Sequence, residues 1–199
     1  MSAGGPRKST IARTTKETSI QLTLELDGTG QANISTGVPF LDHMLTLFTV
    51  HGFFNLTIAA KGDTEVDDHH TVEDLGICLG QAFRESLGNF GGIMRYGHAT
   101  VPMDETLART TVDISNRPYL YYGVNIKDPK VGTFDTALGQ EFLRALSLHA
   151  GLTLHVEVVH GENAHHQLEA IFKALGRSLD QATTIDPRVK GALSSKGSL

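Results

Sequence analysis

Residues 67–80 read DDHHTVEDLGICLG, and residues 164–176 read AHHQLEAIFKALG. Each stretch contains the pattern His-His-x-x-Glu near its start and continues with apolar residues at helical spacing. The agreement extends to residues of the expected core, where Leu75, Leu79, Gly80 and Phe83 correspond to Ile171, Leu175, Gly176 and Leu179. A pattern of polar and core residues that occurs twice in one chain indicates an internally duplicated fold.

The sequence around each motif predicts a similar series of strands and helices. Alternating apolar residues predict strands, apolar residues three and four apart predict helices, and Asp27-Gly28-Thr29-Gly30 predicts a hairpin turn. The first half has predicted strands at 20–26, 31–35 and 53–60 and predicted helices at 39–48 and 70–87, and the second half has predicted strands at 98–115, 119–126 and 152–159 and predicted helices at 135–149 and 165–182. We therefore expect an α+β fold of two β-β-α-β-α halves, residues 1–92 and 93–199, with four-stranded sheets backed by helices.

Composition excludes several classes of function. The chain has 199 residues, and its formal net charge of −5 gives no overall attraction to nucleic acid or to an acidic membrane. Cys78 is the single cysteine, which excludes disulfides within the chain and cysteine-rich zinc sites. Residues 1–10 are polar and contain neither a secretory signal nor a membrane span. We expect a cytoplasmic protein with no nucleic-acid partner and no membrane partner.

The duplicated motif predicts two metal sites. Residues four apart share one face of a helix, so His69 with Glu73, and His165 with Glu169, can each bind one ion. Adjacent helical residues diverge by roughly 100°, so His70 and His166 point towards different ions from their neighbours. Each site is expected to combine both halves of the chain or neighbouring chains.

Two further ligands are expected at equivalent positions of the two halves. His43 precedes His51 by eight residues, and Glu141 precedes His149 by the same interval. Imidazole and carboxylate ligands without thiolate suit Mn, Fe, Zn or Ni. The candidate metal ligands are therefore His43, His69, His70, Glu73, Glu141, His165, His166 and Glu169.

From about Arg13 to the C-terminus, the chain resembles the imidazoleglycerol-phosphate dehydratase family. That resemblance implies dehydration of imidazole glycerol phosphate to imidazole acetol phosphate in histidine biosynthesis, with two manganese ions per active site. It also implies a duplicated fold like domain 2 of ribosomal protein S5, and a homo-oligomer of 24 subunits with active sites between subunits. The matching stretches, besides the two motifs, are TKET at 15–18, TGVPFLDHM at 36–44, RYG at 95–97, PMDE at 102–105, SNRPY at 115–119 and SSKG at 194–197.

The chain departs from the family pattern at two positions. Glu141 stands where many members carry a histidine, and a carboxylate there can still bind a metal while adding negative charge. Leu47 stands where some members carry a glutamine, which removes a polar side chain that could contact the substrate. Both departures bear on the geometry of the site.

The reaction that the resemblance implies sets demands on the site. The proton to be removed lies on a carbon without a neighbouring carbonyl, so metal ions on the imidazole nitrogens are expected to favour an imidazolate-type intermediate that expels the hydroxyl. Glu17, in the TKET stretch, is the expected proton shuttle, and His43, His70 and Glu169 join it as catalytic residues through the metals. The expected substrate-binding residues, several of them cations for the phosphate, are Glu17, His51, Arg95, Arg117, Lys173, Ser194, Ser195 and Lys196.

Two other functions use the same motifs. A di-metal hydrolase would activate water and release phosphate, although such sites often use further Asp ligands that this chain lacks. A non-enzymatic metal-binding or storage shell would need the two motifs but gives no role to Glu17, Arg95, Arg117 or Lys196. The dehydratase, in which all of these residues have a role, is the expected function.

Overall fold

The computed structural model describes residues 6–197 and residue 199, so part of the expected polar N-terminal segment lies outside the described residues. The helices are α1 (Pro39–His51), α2 (His69–Leu87), α3 (Leu138–Ala150) and α4 (Ala164–Thr183). The strands are β1 (Lys8–Thr14), β2 (Thr18–Glu25), β3 (Ala32–Ser35), β4 (Asn55–Gly62), β5 (Tyr96–Met103), β6 (Thr106–Ile114), β7 (Tyr119–Gly123), β8 (Lys130–Val131), β9 (Phe134–Asp135) and β10 (Leu152–His160). The expected α+β fold with four-stranded sheets backed by helices is confirmed.

The two large sheets have the same topology. Their strand orders are β1-β2-β4-β3 and β5-β6-β10-β7, and in each the last strand pairs parallel to its neighbour while the other pairs are antiparallel. Each half thus contributes three strands to its large sheet before its first helix, one more than the sequence predicted, and the second half adds the short pair β8 and β9 before α3. The predicted strand at 98–115 divides into β5 and β6 at Asp104 and Glu105, and β1 adds a strand before β2. The boundary between residues 92 and 93 stays a prediction.

The predicted hairpin at Asp27–Gly30 is wrong. Strand β3 pairs parallel to β4 and does not pair with β2, because β4 lies between them and its Ile58 is in register with both Leu22 of β2 and Ile34 of β3. Strand β2 pairs with β4 along one edge and with β1 along the other. Strand β1 lacks a regular apolar pattern, since its inward positions are Ser9 and Ile11, and Ser9 satisfies its hydroxyl by donating to the carbonyl of Ala82.

Helices of one half pack on helices of the other, α1 on α4 and α2 on α3. The duplicated glycines lie at these two crossings. A Cβ at Gly176 of α4 would lie 2.4 Å from the carbonyl oxygen of Phe48 on α1, and a Cβ at Gly80 of α2 would lie 2.9 Å from that of Leu146 on α3. Only glycine permits this approach. The crossing helices therefore carry the candidate ligands of one half to those of the other.

The core is continuous through the described residues, with large side chains such as Phe48, Phe83, Phe142 and Phe172 fully buried. None of the helices described for residues 6–197 combines the length and the apolar character needed to cross a bilayer.

Candidate metal centres and active site

Both His-His-x-x-Glu motifs begin in the first turn of a helix. At the start of α4 the side chain of Asn163 accepts hydrogen bonds from the backbone N–H groups of His165 and His166, at 2.9 and 3.3 Å. At the start of α2 the Asp67 carboxylate accepts from the N–H of His69 at 2.8 Å. Such side chains satisfy the free N–H groups of a helix start. Each cap therefore fixes the backbone from which the paired histidines project.

One group of candidate ligands is assembled from both halves of the chain. His43 on α1 places Nε2 2.8 Å from Oε1 of Glu169 on α4, and His165 places its own Nε2 3.0 Å from the same oxygen. The potential ligand atoms of the three side chains all lie within 4.8 Å of one another. Two imidazoles and a carboxylate at this spacing fit a divalent first-row transition metal. The structure thus brings together three of the predicted ligands.

Glu169 is the buried member of this group, with only 6% of its surface exposed. Burial by itself raises the pKa of its carboxyl, but hydrogen bonds from Lys173, His43 and His165 outweigh burial and lower the pKa to about 2. Lys173, one turn further along α4, places Nζ 2.7 Å from Oε2 of Glu169. The carboxylate is therefore charged at neutral pH and available as an anionic ligand.

The equivalent group in the other pair of helices is looser. Nε2 of His69 lies 3.8 Å from Oε2 of Glu73, one turn along α2. Glu141 on α3 lines the same cavity of about 530 Å³ as His69, and its carboxylate accepts from Arg144 at 2.6 Å. Glu141, one of the two departures from the family pattern, thus lines the same cavity as the first motif. Its role as a ligand stays a prediction.

The second histidine of each motif is turned away from the first. The ring planes of His69 and His70 are inclined at 83°, and those of His165 and His166 at the same angle. Nδ1 of His70 lies 3.0 Å from Oδ2 of Asp63, and Nδ1 of His166 lies 2.7 Å from Oε2 of Glu105. A carboxylate at Nδ1 holds the proton there and leaves Nε2 to bind a metal.

These hydrogen bonds also shift the pKa values of the two histidines. The bond to Asp63 raises the pKa of His70, and the bond to Glu105 raises the pKa of His166. Conversely, backbone N–H donation from Asn163, followed by the bond from His166, holds the pKa of Glu105 far below its usual range. Nε2 of His70 lies 3.8 Å from Oε1 of Glu17, the predicted proton shuttle.

The predicted phosphate-binding residues are found in different surroundings. Arg95 is buried and forms a two-pronged ion pair with Asp113, at 2.6 and 3.0 Å, while a further N–H donates to the carbonyl of Leu193. Arg95 lines a cavity of about 800 Å³ together with Ser194 and Ser195. Arg117 is exposed just before β7. Within the described residues, the Arg117 side chain makes no ion pair and is a free cation.

The other two predicted substrate-binding residues, His51 and Lys196, lie at the end of α1 and in the C-terminal turn. His51 ends α1, where burial, followed by the positive charges of Lys173 and Arg177, lowers its pKa. Lys196 lies in the C-terminal turn, where its backbone N–H donates to the hydroxyl of Ser194 at 3.2 Å. Contact with substrate stays a prediction for both.

Comparison with known proteins decides the family. The family model described as imidazoleglycerol-phosphate dehydratase matches residues 36–179, which include both His-His-x-x-Glu motifs. The chain belongs to the imidazoleglycerol-phosphate dehydratase family. The resemblance inferred from the sequence is confirmed, and family membership makes the chain an enzyme of the dehydratase class, a lyase.

Relatives in this family match almost the whole chain. The imidazoleglycerol-phosphate dehydratase of Halalkalibacterium halodurans is 65% identical, with 97% of this chain and 100% of the relative covered. That of a Geobacillus species is 63% identical over 97% of this chain and 99% of the relative. Among solved structures, the dehydratase of Staphylococcus aureus superimposes with a TM-score of 0.82 at 45% identity, covering 90% of this chain and 99% of the other. The dehydratase of Pyrococcus furiosus, solved with (S)-C348, gives 0.83 at 42% identity over 95% and 100% of the two chains.

The structure adds residues that the sequence did not single out. Asp63 lies at Nδ1 of His70, Glu105 lies at Nδ1 of His166, and Asp113 pairs with Arg95. Glu105 lies in the PMDE stretch that matches the dehydratase family, which was a signal without an assigned role. Asp63 and Asp113 carried no signal, because their importance follows from contacts between elements distant in the sequence.

Proposed function

We propose that this dehydratase removes water from imidazole glycerol phosphate to form imidazole acetol phosphate, a step of histidine biosynthesis in the cytoplasm, with two Mn²⁺ ions per active site. The observation that carries the proposal is the group of His43, His165 and Glu169, assembled across the two halves of a chain of this family. The proposed substrate is a small phosphorylated imidazole.

The ligands divide into two sets. His43, His165 and Glu169 would hold one ion, and His69, Glu73 and Glu141 would hold the other. The chemistry that bound ions supply here is Lewis acidity at the imidazole nitrogens, which favours the imidazolate form of the substrate. Glu141 in place of histidine gives the second set two carboxylates, and it therefore favours a hard cation such as Mn²⁺.

His70 and His166 support active sites between subunits. Both turn away from the candidate ligands of their own chain, yet each is oriented by a carboxylate with Nε2 left available. Each would complete a site on a neighbouring subunit. The proposal therefore includes a homo-oligomer, with the 24-subunit assembly that the family resemblance implies.

The remaining residues bind substrate and move the proton. Glu17 is more than half exposed and stands beside His70, so its carboxylate would take the carbon-bound proton and return it to the product. Arg117 and Lys196 offer free charge to the phosphate, with Ser194 and Ser195 as hydroxyl donors. Lys173, His51 and Arg95 would line or support this pocket.

The test is direct formation of imidazole acetol phosphate from imidazole glycerol phosphate by the Mn²⁺-loaded protein. Beside it stand a chelated sample, a His70→Ala variant and a measurement of released phosphate. The proposal predicts product in the loaded protein alone, with no phosphate release. Phosphate release without imidazole acetol phosphate would indicate a di-metal hydrolase. If neither product formed, a non-enzymatic metal-binding shell would be indicated.

A further inference from the structure

Asp74 lies one helical turn beyond His70 on α2, and its side chain is buried. Its Oδ1 accepts hydrogen bonds from Nε and Nη2 of Arg13, at 3.1 and 2.9 Å. Its Oδ2 accepts from the Thr18 hydroxyl at 2.5 Å. Arg13 lies near the end of β1 and Thr18 begins β2, so one carboxylate holds both sides of the β1–β2 turn.

The turn itself is closed by its own hydrogen bonds. The N–H of Thr15 donates to the carbonyl of Thr18 at 2.8 Å, and the Thr15 hydroxyl accepts from the N–H groups of Glu17 and Thr18 at 3.1 and 3.0 Å. The backbone of Glu17 is therefore fixed relative to Thr18, and through Thr18 to Asp74. The Glu17 carboxylate is left 53% exposed.

Asp74 and His70 share one face of α2, because residues four apart on a helix are neighbours. The face that holds Thr18 through Asp74 therefore also presents His70 to Glu17, whose Oε1 lies 3.8 Å from Nε2. The turn that carries the predicted proton shuttle is thus held one helical turn away from the predicted metal ligand, on the same face of α2.

The corresponding turn in the second half is built differently. Ala170 occupies the position that corresponds to Asp74, so α4 has no carboxylate for the β5–β6 turn. Glu105 in that turn instead accepts from His166 at 2.7 Å and from the N–H groups of Asn163 and Glu162 at 2.9 and 3.2 Å. The second turn is held by its own glutamate, whereas the first is held by Asp74 and keeps its glutamate free.

We propose that Asp74 is a positioning residue for Glu17, acting through Thr18 and Arg13. The inference rests on the proposed function, in which Glu17 moves the substrate proton. A free carboxylate moves protons well only if its backbone is held within a fraction of an ångström, and a supporting contact of this kind provides that without consuming the carboxylate. Asp74 itself touches neither substrate nor reacting atoms.

The test removes the contact without removing the Asp74–Arg13 ion pair. In the assembled, Mn²⁺-loaded enzyme, Thr18→Val should lower kcat by about 10- to 100-fold with little change in KM or bound metal. Thr18→Ser, which keeps the hydroxyl, should restore most of kcat. Asp27→Asn is the matched control, since Asp27 pairs with Arg7 at the opposite end of the same two strands.

Combination with Glu17→Gln separates this proposal from the proposed function. If Asp74 acts through Glu17, then Thr18→Val adds almost nothing to the loss caused by Glu17→Gln, and amide exchange rises at residues 13–18 in Thr18→Val but not in Asp27→Asn. The positioning role would be overturned if the loss of kcat in the double variant equalled the product of the two single losses. It would also be overturned if Thr18→Val were as active as Asp27→Asn. If the unmodified enzyme forms no product, the proposed function is refuted. If Glu17→Gln is fully active, Glu17 is not the proton shuttle. In either case, unchanged amide exchange at residues 13–18 in Thr18→Val would still contradict the role of Asp74 in holding the β1–β2 turn.

Discussion

Nε2 of His43 lies 2.8 Å from Oε1 of Glu169, which joins helix α1 of the first half to helix α4 of the second. The contact is possible because Gly176 lets the two helices cross closely. A candidate metal site therefore lies between two closely packed helices, and these rigid elements hold the ligands in place.

Replacing His43 with alanine should weaken metal binding. His43→Ala removes one of three ligand side chains, and we expect Mn²⁺ affinity of that site to fall at least about 10-fold, since even outer contacts of a metal site are worth that much. Calorimetric titration of the metal-free protein gives the affinity. His155→Ala is the control, because His155 is exposed on β10, away from the candidate ligands. Equal affinities in both variants would contradict the ligand role.

The carboxylate behind His70 should matter for metal affinity in the same way. Asp63→Ala removes the acceptor at Nδ1, so His70 loses its fixed tautomer and ring orientation, and Mn²⁺ affinity should fall about 10- to 100-fold. Titration of the assembled protein measures the loss. Glu65→Ala, an exposed acidic residue of the same loop, should leave affinity unchanged. An equal loss of Mn²⁺ affinity in Glu65→Ala would show that the effect comes from overall negative charge and not from the Asp63–His70 hydrogen bond.

The two arginines of the matched stretches should behave differently when removed. Arg95→Ala breaks a buried ion pair with Asp113 and frees the Leu193 carbonyl, which should lower the free energy of unfolding by about 3 kcal/mol. Arg117→Ala should leave stability unchanged and raise KM for imidazole glycerol phosphate. Denaturant unfolding and steady-state kinetics separate the two effects. An Arg95→Ala variant as stable as the unmodified protein would contradict the structural role of Arg95.

The single cysteine should be unreactive in the folded protein. Burial raises the pKa of the Cys78 thiol from 9.0 to about 11, so the thiol keeps its proton in the folded state at pH values where the unfolded chain releases it. This contribution to stability is complete below about pH 9 and is lost as pH rises towards 11. Labelling with a thiol reagent at pH 8 should occur only on unfolding, and rapid labelling of folded protein would contradict the burial.

The helices and their paired ligands could be predicted from the sequence because helical spacing is a local signal. His69 with Glu73 and His165 with Glu169 lie on common faces as the interval of four residues requires. The internal repeat also identified His43 as a further candidate, since its counterpart Glu141 has the same interval to the next histidine.

The strand partners and supporting contacts could not be predicted in the same way. Strand β3 pairs with β4 across an intervening helix, so its nearest neighbour in sequence, β2, was the wrong choice. The bonds of Asp63 to His70 and of Asp74 to Thr18 depend on how loops and strands approach α2. Such contacts depend on tertiary packing, which no periodicity in one segment encodes.

The proposed pair of metal ions is tested by a titration of Mn²⁺ into metal-free protein while imidazole acetol phosphate formation is followed. We expect no product without metal, and a rate that rises with added Mn²⁺ and levels off at two ions per chain. Full activity in the presence of excess chelator, or a rate that levels off at one ion per chain, would contradict the proposed pair of metal ions.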